Sequence, residues 1–121
     1  MTFESKLQKN IHVIGDAAIA GAMPRSASAA RSQGAICAAA IAALLAGKTP
    51  AAPTLTASCY SLIAPDYAIS QRGTYRPVDG QYVEADGGAI ISLLDASRET
   101  RKAEAGEAGA WYRTITGELF G

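Results

Sequence analysis

The chain has 121 residues, with 11 Lys+Arg against 11 Asp+Glu and a formal net charge of zero. That balance removes the electrostatic case for nucleic-acid binding, which rests on a basic surface neutralising phosphates. Hydrophobic residues make up 49% and aromatics only 7%; much of the apolar part is alanine, so the expected core is thin and the chain reads as one small domain or a piece of a larger one.

Met1 to Asn10 mix charged and polar groups, and no export signal is read there. Ile11-His12-Val13-Ile14 is a short apolar run ending at Gly15-Asp16. It reads as a buried strand of a parallel sheet with the Gly-Asp at its carboxyl end, His12 being a packed residue of that strand. A helix is expected from about Ser26 to Ala46. Pro24 precedes it, Ser26 or Ser28 caps it, and Gly47 with Pro50 ends it. Its buried stripe is expected to hold Cys37, Ile41 and Leu44/Leu45. The longest apolar run, Ala35 to Ala46, is shorter than the ~20 residues of a membrane span, so none is expected.

Pro50 to Pro53 reads as a linker, after which the pattern changes to short strands. Cys59 to Ile63 is one candidate and Ala68 to Ser70 another. Thr74 to Val78 and Gln81 to Glu84 flank Asp79-Gly80, the signature of a type I′ hairpin. Pro77 cannot donate to a ladder, so its strand is expected at an edge or with a bulge. Asp86-Gly87-Gly88 marks a further turn, and Ala89 to Leu94 reads as a last strand or as helix. The tail, about Asp95 to Phe120, reads as a helix with Ala108, Trp111, Ile115 and Leu119 on one stripe. Gly106 and Gly109 each weaken it by roughly 1 kcal/mol relative to alanine. The charged run Arg98 to Glu107 is expected to be a solvated face. Two cysteines, Cys37 and Cys59, with the single His12, fit neither a disulfide-rich scaffold nor a zinc centre of about four ligands.

Several residues have two readings. Asp16 is a turn residue or a ligand-binding carboxylate at a strand end. Gly15 is a turn glycine or a point of close backbone approach to a ligand. The helix start at Ser26, with Arg25 before it, is a capped surface terminus or a positive dipole end facing an anionic ligand. Cys59 is a structural thiol, half of a Cys37–Cys59 bridge, or a redox sulfur. Cys37 on the alanine-rich stripe is a small core residue, and Trp111 is a core aromatic or part of a site.

The strand and Gly15-Asp16-Ala17-Ala18 resemble the second FAD-binding motif of the pyridine-nucleotide-disulfide oxidoreductase superfamily. Ala22 to Ala30 with Ser32-Gln33-Gly34, the stretch Ser58-Cys59-Tyr60-Ser61-Leu62-Ile63-Ala64-Pro65-Asp66-Tyr67, and Trp111-Tyr112 with Phe120-Gly121 narrow it. Together they resemble the C-terminal part of the flavoprotein subunit of flavocytochrome c sulfide dehydrogenase. The family usually carries lysine where Arg25 stands, which replaces a point ammonium by a planar fork. No G-x-G-x-x-G follows a strand in this sequence.

The resemblance implies an α+β arrangement: the terminal strand and long helix of an FAD-binding α/β domain (1–50), then a small antiparallel sheet and a C-terminal helix (51–121), as a fragment of a larger fold. It implies FAD held by Gly15, Asp16, Arg25 and Ser26, with Asp16 accepting from a ribityl hydroxyl. It further implies a redox disulfide involving Cys59 beside the flavin, with Trp111 close by. Sulfide would be the substrate and a c-type cytochrome subunit the electron acceptor, in the periplasm, with the N-terminal flavoprotein portion completing the site. On this reading the isolated residues are not catalytically competent. The alternative is a non-enzymatic interaction domain from a truncated or split gene.

Overall fold

The computed structural model describes residues 2–85 and 87–121. The elements in chain order are a 3-10 turn at Gly15–Ala17, helix α1 (Ala27–Leu45), strands β1 (Leu55–Ala64), β2 (Tyr67–Val78), β3 (Gln81–Glu84) and β4 (Ile90–Ile91), and helix α2 (Arg98–Phe120). This is the α+β inventory that the sequence suggests. The sheet order is β1-β2-β3, with β4 also pairing to β2. The chain forms two compact units: one from the residues up to Ser58 with Arg72–Ala89, the other from Cys59–Gln71 with Ile90–Gly121.

In the first unit the Ile11–Ile14 run is not a parallel strand. The chain folds back on itself: Ser5 N–H donates to Ile11 O at 2.7 Å and Val13 N–H to Phe3 O at 2.9 Å. One antiparallel bridge, Glu4 to His12, results. Ile11 and Ile14 stay 53% and 40% exposed. A strand buried on both faces needs a neighbour on each side, and among the described residues the bonds of this run go to the segment from Phe3 to Ser5 on one side.

Helix α1 starts where Ser26 Oγ accepts from Ala29 N–H at 3.2 Å. It ends in a Schellman motif, Lys48 N–H to Ala43 O at 2.8 Å and Gly47 N–H to Leu44 O at 3.0 Å. Its buried residues are Ala29, Gln33, Cys37 and Ala40, with Ile36 and Ile41 packed partly against the core. The expected leucines are not in that stripe, since Leu44 and Leu45 are 46% and 85% exposed. Ser32 Oγ donates to Thr56 O at 3.0 Å and Ser58 N–H to Ser28 Oγ at 3.1 Å. These bonds fix which face and which end of α1 meet β1. By length and composition α1 also passes as a membrane span, with a mean hydropathy of 1.3, as the core helix of a globular unit does.

The β2–β3 hairpin follows the Asp79-Gly80 signature. Asp79 and Gly80 have φ of 48° and 77°, the two positive values of a type I′ turn. The register is Val78 to Gln81, Pro77 to Tyr82, Arg76 to Val83 and Tyr75 to Glu84. β2 is a central strand, so of the edge or bulge expected at Pro77 the edge does not hold. In a two-residue hairpin the closing pair exchanges hydrogen bonds and the next pair does not, so Pro77 needs no donor toward β3. Tyr82 is fully buried and stacks on Phe3 at 5.8 Å. Gly21, at φ 72°, lies against the Tyr82 backbone, where an added Cβ would overlap the carbonyl oxygen. Asp86 lies outside the described residues, so the turn expected there is not described; Gly88 N–H donates to Ala85 O at 3.0 Å.

In the second unit α2 is capped by Ser97 Oγ, which accepts from Thr100 N–H at 3.1 Å. The charged run is not wholly solvated: Arg101 and Glu104 are 2% and 7% exposed. Leu119, on the expected stripe, is 66% exposed. Of the Ala89 to Leu94 stretch only Ile90–Ile91 is strand.

Candidate functional site

In the first unit the Gly15–Asp16 turn is held by Gln33. The Gln33 side chain is 2% exposed, and its Oε1 accepts from Gly15 N–H at 2.9 Å. Gly15 has φ 66°, and a Cβ there would sit 3.5 Å from the Ala30 Cβ, an ordinary contact. The turn therefore rests on the first turns of α1, and the Asp16 carboxylate is exposed. Arg25 is also exposed, and Ser26 is half-buried with its hydroxyl engaged in the cap. An anionic ligand at this end of α1 would meet the positive end of the helix dipole and the backbone donors that Ser26 leaves over.

The same terminus is tied to β1. Ser28, in the first turn of α1, accepts the Ser58 N–H, and Cys59 is the next residue of the strand. Cys59 is exposed and free, whereas Cys37 is buried and free. No Cys37–Cys59 bridge forms, and burial raises the Cys37 thiol pKa. Cys37 is the small core residue that the sequence suggests.

Within the second unit Tyr60 packs on Trp111, ring centroids 6.4 Å apart and tilted by 40°. Side chains alternate along a strand, so Cys59 projects from the face of β1 opposite Tyr60. Trp111 thus backs the strand behind Cys59. Around Trp111 lies an open cleft of about 620 Å³. It is lined by α2 at Ala105, Gly106 and Gly109 and by the aromatic rings of Tyr60, Trp111 and Tyr112. Lys102 and Arg113 also line it, as does Asp66, which pairs with Arg98 at 2.9 Å.

In the same unit a polar cluster ties three elements together. Glu104 accepts from Ser70 Oγ at 2.7 Å, from Ser92 Oγ, and from Arg101 Nη1 at 3.2 Å. Ser92 Oγ accepts from Ser70 N–H at 2.8 Å, and Arg101 Nη2 donates to Leu93 O. The Arg101 guanidinium lies 5.6 Å from the Tyr67 ring centroid. Hydrogen bonds from Ser92 and then Ser70, with Arg101 adding, hold the Glu104 carboxyl below its usual range against the opposing effect of burial.

The family model for flavocytochrome c sulphide dehydrogenase, flavin-binding, matches residues 51–120. The chain belongs to this family. The match takes in all four strands and α2, and with them Cys59, Tyr60, Trp111 and the Glu104 cluster. In this flavin-binding family a flavin cofactor and a cytochrome subunit are the expected companions. Gly15, Asp16, Arg25 and Ser26 precede the matched residues, and they reach it through the Ser28–Ser58 and Ser32–Thr56 bonds. Sequence reasoning missed Gln33, the Glu104 cluster and the cations of the cleft. Gln33 had a signal, as the one amide among alanines, four residues from both Ala29 and Cys37. Arg101 and Glu104 had only an i,i+3 spacing inside a charged run.

Proposed function

We propose that this chain supplies part of the flavin site of an FAD-dependent sulfide:cytochrome c oxidoreductase working in the periplasm. Residues 1–50 would close an FAD-binding domain and 51–121 would form the flavin-binding and interface domain. The observation that carries the reading is the family match over β1 to α2, with an exposed free thiol at Cys59. The geometry at the start of α1 suits the cofactor. Asp16 would accept from a ribityl hydroxyl, Gly15 would allow the close approach, and Arg25 with the Ser26-capped terminus would face the anionic edge.

Cys59 would contribute one sulfur of a redox disulfide. Since Cys37 is buried, the second sulfur would come from another polypeptide segment. Hydrosulfide attacks one sulfur of that bond; the S–S bond breaks, a persulfide forms, and the other cysteine leaves as a thiolate carrying the electron pair. Bound FAD would supply two-electron acceptance from the thiolate and one-electron delivery to a c-type cytochrome. Trp111, packed on Tyr60, would hold the strand that presents Cys59.

The test combines the chain with an N-terminal flavoprotein portion that carries the second cysteine, adds FAD and follows flavin binding by visible circular dichroism, then adds sulfide without oxygen and follows loss of the flavin absorption. Asp16→Ala should weaken binding. Cys59→Ser should leave binding intact and remove any protein-dependent bleaching. Flavin binding indifferent to Asp16, or bleaching indifferent to Cys59, overturns the assignment.

A further inference from the structure

We propose that the cleft along α2 is a docking groove for an extended acidic segment of a partner protein, with one carboxylate at each end and an apolar residue between them. The groove follows one face of α2. Lys102 and Arg113 both line it, and Ala105, Gly106 and Gly109, which line it too, fall between them on the same face of the helix. At 1.5 Å per helical residue the two cations are ~16 Å apart along the axis. An extended chain covers that distance in about five residue steps. The one carboxylate in the lining, Asp66, is already engaged by Arg98. The groove therefore presents two cations to its occupant, and an acidic partner complements them.

The glycines favour a polypeptide occupant. Each weakens an exposed helix by about 1 kcal/mol relative to alanine, and a Cβ at Gly106 would meet nothing within 4 Å. Packing inside the chain does not require glycine there. Its effect is to leave the groove open at these positions, so that a backbone can lie close to the helix. An apolar side chain at the middle of the segment would cover Trp111, a lining aromatic within the matched residues.

Trp111 is the only tryptophan, so its fluorescence reports occupancy of this groove alone. The probe is the peptide acetyl-Glu-Ala-Leu-Ala-Ala-Glu-amide, added to the full chain. The control has lysine at both ends, and FMN is titrated separately. The acidic peptide should give a saturable blue shift that the basic peptide does not. The affinity should fall about five- to tenfold when Lys102→Ala and Arg113→Ala are combined, and fall also in ~1 M salt, where the Debye length is ~3 Å. Gly106→Leu should abolish the response while circular dichroism keeps the parent's helix signal and the melting temperature is not lowered, because the added side chain enters open space and leucine favours the helix. Equal responses to the two peptides, no saturable response, an unaffected Gly106→Leu variant, or displacement of the peptide by FMN would each overturn the proposal. FMN displacement would return the groove to the flavin. A groove that fails with the peptide and ignores FMN leaves the Asp16 and Cys59 assignments standing on their own tests.

Discussion

Glu104→Gln is expected to destabilise the second unit by about 3 kcal/mol, the lower end of what breaking one partner of a buried ion pair costs. The side chains of Arg101 and Glu104 are 3% and 9% exposed and 3.2 Å apart, so solvent screens the pair little. The substitution neutralises the carboxylate paired with Arg101, whose Nε has no hydrogen-bond partner among the described residues. It also leaves a single acceptor oxygen where Ser70, Ser92 and Arg101 all donate. A loss of that size lowers the melting temperature by roughly 10 °C for a chain of this length. Trp111 fluorescence follows the second unit, and far-ultraviolet circular dichroism follows the helices. The folded state binds the Glu104 proton less readily than the unfolded chain does. Its stabilisation is therefore complete above the unfolded value of about 4.3 and is lost as pH falls through the lowered folded value. Parent and variant should converge in acid. Replacing both charges, Arg101→Leu with Glu104→Leu, should cost less than Glu104→Gln alone, since no buried charge is stranded. A Glu104→Gln variant within about 0.5 kcal/mol of the parent at neutral pH, or a double variant worse than the single one, would refute this account of the cluster.

Gly21→Ala should prevent the first unit from forming, because the Cβ meets the Tyr82 carbonyl oxygen and φ is 72°; loss of amide protection around Tyr82 in hydrogen exchange would register it. Gly80→Ala should cost about 1–2 kcal/mol through its φ of 77° alone, whereas Asp79→Asn should be neutral in a urea titration. Gln33→Leu should release the Gly15 turn at a cost of about 1–3 kcal/mol and weaken flavin binding together with stability. An aromatic disulfide reagent should modify Cys59 rapidly and Cys37 only on unfolding, since Cys37 is buried with its thiol pKa raised; equal rates would contradict the placement of Cys37 in the core.

Local signals were legible in the residues and long-range ones were not. Asp79-Gly80 specifies its turn without help, because few residues accept two consecutive positive φ values. Ser26 and Gly47 bound α1 for the same local reason. The Ile11–Ile14 run fails differently: its composition says what the run would bury and nothing of whether neighbouring strands lie beside it. The stripe of α1 had the right period but the wrong end. Leucines outweigh alanines in hydropathy, yet Ser28 and Ser32 bond β1, so the alanines at that end are buried and Leu45 is not. The redox reading of Cys59 rests on flanking residues that match a known family and not on any local pattern of its own.

The Glu104 cluster marks where sequence reading stops for a physical reason. In a helix, a Lys, Arg or Glu facing water and one facing a core have the same spacing and the same propensity. What distinguishes Arg101 and Glu104 from Lys102 and Glu107 is the set of hydroxyls at Ser70 and Ser92, 34 and 12 residues from Glu104 in the chain. Burying a carboxylate is unfavourable unless several donors converge on it. Here they come from β2, from the segment after β4 and from α2 itself. The cluster therefore forms only when all three are in place, and it specifies where α2 lies on the strands that carry Tyr60. Trp111, seven residues beyond Glu104 along α2, shares its face after two turns. The residues that fix the aromatic pair behind Cys59 are thus polar ones whose role depends on a fold already formed.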